Sequence, residues 1–133
     1  MNAPLALHLL PDRLALCRFA ADAPLPAWAL HASADFYCVM RTRDELSLVC
    51  PENDLPPAVW ERANRGWRAF QLQGPVPFET VGVVARISGT LADAGVPVFV
   101  LSTWTTDYVL VKEESAARAV EALRERFTVS GGE

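Results

Sequence analysis

The chain has 133 residues, 51% hydrophobic and 21% charged, enough apolar chain for an ordinary core and too ordered in composition for a disordered or fibrous protein. Lys and Arg total 12 against 16 Asp and Glu, a net charge of -4, which argues against a nucleic-acid footprint. No apolar run reaches the roughly 20 residues of a membrane helix, and Met1-Asn-Ala-Pro-Leu5 lacks the charged start of a signal peptide, so a cytoplasmic protein is expected.

In chain order, Leu5–Leu10 and Leu14–Arg18 read as strands joined in a hairpin by Pro11-Asp12-Arg13. Pro24 and Pro26 keep any helix in Ala23–Ala32 short. Phe36–Arg41 and Glu45–Cys50 are further strands, Pro51–Pro57 is a loop, and Ala58–Ala63 has room for one or two helical turns before Gly66. Trp67–Gln73 alternates like a strand and is closed by Gly74 and Pro75. Thr80 is placed to cap a helix with an apolar stripe of Val81, Val84, Ile87 and Leu91, stopped by Gly95. Val96–Leu101 and Tyr108–Val111 are strands around a polar connection, Ser102 to Asp107. Ser115 caps a last helix with Ala116, Val120, Leu123 and Phe127 inward, and Thr128–Ser130 can form a final strand. This order describes a ferredoxin-like split βαβ unit.

An internal repeat is visible as well. Phe36–Glu52 and Val98–Glu114 share an apolar run, a polar stretch, an acid, a second apolar run and a Glu. At an offset of 62 residues Glu45 falls on Asp107, Leu48 on Leu110 and Glu52 on Glu114, and Leu5–Leu10 falls on Trp67–Leu72. A duplicated unit is the economical reading, the first copy having reduced its second helix.

Motifs for catalysis are missing: there is no GxSxG, P-loop, GxGxxG or spaced His/Cys cluster. His8 and His31 lack metal spacing, so neither a metal nor a cofactor is expected. Cys17, Cys38 and Cys50 sit in apolar stretches without CxxC spacing and read as small core hydrophobes. A binding site is easier to justify. Thr80-Val-Gly-Val-Val84 opens a helix whose first amides favour an anionic group, and Gly82 lets a ligand approach the backbone or else packs against a strand. The connection Ser102-Thr-Trp-Thr-Thr-Asp107 gathers four hydroxyls, an indole and a carboxylate. Asp107 suits an ammonium or guanidinium, while the plainer alternative is a turn whose Thr and Asp cap their own backbone.

The stretch Val98-Phe-Val-Leu-Ser-Thr-Trp-Thr-Thr-Asp-Tyr-Val-Leu-Val-Lys-Glu-Glu114 resembles a signature of small bacterial tandem ACT-domain proteins, relatives of the ACT repeats of aspartate kinase and of the animal cytosolic arginine sensors. Glu45-Leu-Ser-Leu-Val-Cys-Pro-Glu52 and Arg65-Gly-Trp-Arg68 resemble the same family, and Thr80-Val-Gly-Val-Val84 is similar to its helix start. Trp104 stands where the family has Phe or Tyr. The resemblance implies an α+β fold of two ferredoxin-like units, residues 1–63 and 64–133, with antiparallel sheets, helices on one face and a helix-poor first unit. It also implies a noncatalytic protein that binds a small molecule, expected to be an amino acid, at Val81, Gly82, Val83, Thr103, Trp104 and Asp107. A homodimer is expected because open sheet edges invite pairing. The alternative is a structural or interaction subunit that dimerises without a ligand.

Overall fold

A computed structural model describes residues 5–30, 34–74 and 81–132. Eight strands and three helices follow in the order β1 (Ala6–Leu9), β2 (Leu14–Phe19), β3 (Cys38–Arg41), β4 (Leu46–Pro51), α1 (Pro57–Trp60), β5 (Asn64–Leu72), α2 (Val83–Asp93), β6 (Phe99–Ser102), β7 (Asp107–Lys112), α3 (Glu113–Arg124) and β8 (Thr128–Gly131). Single 3₁₀ turns lie at Ala27–Ala29 and Glu52–Asp54. The chain divides into two units: Asp12–Trp67, and Met1–Pro11 together with Arg68–Glu133. A boundary between residues 63 and 64 does not capture this, because the first strand belongs with the C-terminal residues.

In the unit Asp12–Trp67 the strand order is β3-β4-β2-β5. Alternation along β2 and β4 sends Ala15, Cys17, Leu46, Leu48 and Cys50 to one face, where Ala29, Leu55 and Val59 close over them. Helix is scarce here, as the prolines predicted: the segment after β2 makes one 3₁₀ turn, and α1 is a single turn with Pro57 in its first positions. Phe19, Trp28 and Trp60 pack at the margin of this core.

The other unit orders its strands β6-β7-β5-β1-β8. Leu7, Leu9, Phe70, Leu72, Val109 and Val111 share one core with Val83, Ile87 and Leu91 of α2 and Ala116, Ala119 and Leu123 of α3, so both helices cover the same face. β1 is the addition to a ferredoxin-like order. It pairs antiparallel with β5 (Leu7 opposite Leu72) and parallel with β8 (Leu7 opposite Val129), so the pairing is not antiparallel throughout. The expected β1–β2 hairpin does not form, because β2 pairs with β4 and β5 instead.

The repeat is real in the hairpins but its register moves by one. β3 and β4 correspond to β6 and β7 at an offset of 61, the distance from Leu46 to Asp107. Leu48 and Cys50 then match Val109 and Val111, all inward-facing. An offset of 62 would place inward residues on outward ones, since a one-residue slip reverses every side chain of a strand. The two turns share their bonding: Thr42 N–H donates to the Glu45 carbonyl at 2.9 Å, and Thr103 N–H to the Thr106 carbonyl at 2.8 Å.

Candidate functional site

The predicted site residues fall on two elements of one unit, the start of α2 and the β6–β7 turn. Helix α2 begins two residues later than its stripe implied, with Val83, Ile87, Thr90 and Leu91 buried. Val81 is 89% exposed and contributes nothing to the core. Thr80, Pro75 and His31 lie outside the described residues. Gly82 takes the cap position at φ +80°, with its carbonyl accepting from Arg86 N–H at 3.0 Å. A glycine cap has no side chain to offer the first-turn amides, and the helix dipole adds a positive partial charge there. The Val83 side chain is in the core, so this residue can meet a ligand only through its amide.

In the β6–β7 turn the hydroxyls serve the turn. Thr103 Oγ1 accepts from Thr106 N–H at 3.1 Å, and Thr106 Oγ1 donates to the Leu72 carbonyl on β5. Ser102 Oγ donates to Asp107 Oδ1 at 2.5 Å, which leaves the carboxylate with capacity for a further donor. Trp104 stands 81% exposed at the tip. A shallow cleft of about 370 Å³ lies beside this turn, lined by Gln71, Leu72, Gly74, Thr105 and Thr106. Gln71 was not among the predicted residues. Its signal was a polar side chain between two fully buried ones, Phe70 and Leu72.

Other motif residues hold the scaffold. Arg68 donates to Glu113 Oε2 at 3.0 Å and to the Leu10 carbonyl at 2.9 Å, and Glu52 Oε2 accepts from Gly66 N–H at 3.0 Å. Ser115 does not cap α3; it is buried within the helix, which opens on Glu113 and Glu114. Cys17 and Cys50 lie in the same core on the neighbouring strands β2 and β4. Side-chain hydrogen bonding between the two thiols lowers the Cys17 pKa, against the effect of burial and with help from the Arg62 guanidinium, and together with burial it raises that of Cys50. No group of three or more His, Cys, Asp or Glu that could hold a metal occurs among the described residues.

The model of the ACT domain family matches residues 62–125. Residues 62–125 are similar to the ACT domain. A second family model, for an N-terminal domain, matches residues 12–58. The human cytosolic arginine sensor for mTORC1 subunit 1 is 36% identical over 61 residues, covering 45% of this chain and 18% of that protein. The match thus spans about a fifth of that relative. A crystal structure from Agobacterium tumefaciens is similar at 29% identity with a TM-score of 0.88, over 99% of this chain and 96% of that one. The ligand-free regulatory subunit of aspartate kinase from Thermus thermophilus shares the fold at 16% identity and a TM-score of 0.65, over 94% and 99% of the two chains. The residues that carried the family resemblance thus fall into two sets: Arg68, Glu113, Glu52 and Gly66 tie backbone and strands together, and Gly82, Trp104 and Asp107 lie toward solvent or beside a cleft.

Proposed function

We propose that this protein is a noncatalytic regulatory protein of the cytoplasm that binds a small amino acid and works as a homodimer. The observation that carries the reading is the start of α2: a left-handed Gly82 before first-turn amides that no glycine side chain can cap, in the same ACT unit as the Asp107 turn. The amides of Val83 and its neighbours take the ligand carboxylate. Asp107 takes the positive group through its spare acceptor capacity, and Trp104 and Thr103 border the ligand. Gly82 admits the ligand backbone, and Val81 covers it from the exposed side. No helix among the described residues is long and apolar enough to cross a membrane. The similarity to an arginine sensor and to aspartate kinase regulatory subunits supports a regulatory role for a bound small molecule.

Calorimetric titration of the full chain with each standard amino acid tests this. Binding by one or a few of them is expected with a Kd between micromolar and millimolar, about -8 to -4 kcal/mol. Asp107→Ala should weaken that binding by roughly tenfold or more, since a charge-assisted bond contributes about 1.5–3 kcal/mol. Silence from every amino acid rejects the ligand class, and unchanged binding in Asp107→Ala rejects that residue's role.

A further inference from the structure

The two hairpins differ in charge at one matched pair of residues. Ser102 ends β6 opposite Asp107, the first residue of β7, and Arg41 ends β3 opposite Leu46, the first residue of β4. Both pairs lie on the core side of their sheets, because Val109 and Val111 follow Asp107 at steps of two, as Leu48 and Cys50 follow Leu46. In one unit the pair carries a carboxylate. In the other it carries a guanidinium, beside a leucine that is fully buried. Leu46 cannot hold a ligand's positive group, and here the chain supplies a positive group of its own.

That group is bound by backbone. Arg41 Nη2 donates to the Ala23 carbonyl at 2.6 Å, and Nη1 donates to the Ala21 carbonyl. Both carbonyls lie past the end of β2, beyond the sheet ladder, in a turn where Ala23 N–H donates to the Ala20 carbonyl at 3.0 Å. Two acceptors this close suit the planar fork of a guanidinium better than the point charge of an ammonium. Asp22, between them in sequence, adds negative charge. Their segment leads from β2 into the 3₁₀ turn Ala27–Ala29, as the residues after β5 lead into α2. That turn is three residues long and begins at Pro26, so it offers no series of free amides like the start of α2. Where one unit has a helix start and a carboxylate, the other has a short turn and a filled notch.

We infer that the Ala21 and Ala23 carbonyls form a guanidinium site occupied by Arg41 itself, and that this self-occupation closes the unit Asp12–Trp67 to ligand, leaving one ligand site per chain. The closure rests on the amino-acid reading above, and the guanidinium site does not. Arg41 is exposed, so once its side chain is cut back a free guanidinium compound reaches the carbonyls without any opening of the core.

Thermal unfolding of the full chain tests the site. Arg41→Ala should melt about 3–6 °C below the wild type. Methylguanidine at roughly millimolar concentration should raise that melting temperature saturably, with no such rise in the wild type, and methylammonium should not substitute for it. Arg41→Thr, a β-branched residue suited to a strand, gives the same readout where the alanine variant does not fold. No rescue in either variant, or equal rescue by methylammonium, overturns the guanidinium site. Calorimetric titration of the wild type with the amino acid that binds should give one molecule per chain. Two per chain overturns the closure and leaves the ligand reading intact. Silence from every amino acid overturns the ligand reading and the closure with it, while the methylguanidine result still decides the site.

Discussion

Gly131 and Gly82 both adopt left-handed backbone, at φ +83° and +80°, yet a methyl group would meet different surroundings at each. At Gly82 nothing lies within 4 Å, so Gly82→Ala carries only the conformational cost, about 1–2 kcal/mol. At Gly131 a Cβ would overlap the Leu9 carbonyl oxygen and lie 2.8 Å from His8 Cε1. Gly131→Ala should therefore lower the urea midpoint well beyond Gly82→Ala. The comparison separates strain at the proposed ligand amides from disruption of the β1–β8 pairing. The cysteines differ in the same local way. Cys17 and Cys50 are 3% and 0% exposed and Cys38 is half-buried, so iodoacetamide should label Cys38 first in the native protein, with the other two labelled only on unfolding. Their apolar neighbours in sequence had indicated burial, but the thiol pair depends on β2 lying beside β4, which no local pattern reveals.

Among the elements, Arg68 is the most consequential tie. Its side chain is 12% exposed, and it joins the residue just after β1 to the first residue of α3. Arg68→Met keeps the length and loses both bonds, leaving the Leu10 carbonyl and Glu113 without it. A loss of about 1–3 kcal/mol in thermal or denaturant unfolding is expected. Arg65-Gly-Trp-Arg68 and Lys112-Glu113-Glu114 were legible as motifs, but their meeting was not, because 45 positions separate the two charged groups. Strand existence was legible too: the apolar runs predicted β3, β4, β6 and β7 to within two or three residues. Register was not. Apolar residues fill both faces of β4 and β7, so Val49 and Leu110 are buried beside Leu48 and Val109, and a one-residue slip costs nothing in the sequence pattern while reversing every side chain in space. The α2 stripe failed for a similar reason: Val81, Val83 and Val84 lie together, and apolar spacing cannot choose among them.

For the whole molecule, ligand binding and self-association make different demands on stability. A ligand that binds only the folded state raises the melting temperature with ligand concentration, and a dimer raises it with protein concentration. Thermal scans at two protein concentrations, each with and without the amino acid found by calorimetry, should show both dependences if the proposed reading holds. Dependence on protein concentration alone would favour an assembly subunit. The fold class was legible because strand and helix order repeat a known unit. The path of the chain was not, since Pro11-Asp12-Arg13 has turn chemistry that suits a hairpin and gives no sign that β1 and β2 part company.

The placement of β1 has a practical consequence. It lies between β5 and β8, so the ACT unit is not one uninterrupted stretch of the gene product. A fragment trimmed to residues 62–125 would lack both β1 and β8, and adding the rest of the C-terminus would still leave β5 and β8 without the strand that joins them. Excising this half for ligand screening would yield a protein with its middle missing. Supplying residues 5–11 as a separate peptide should restore its structure.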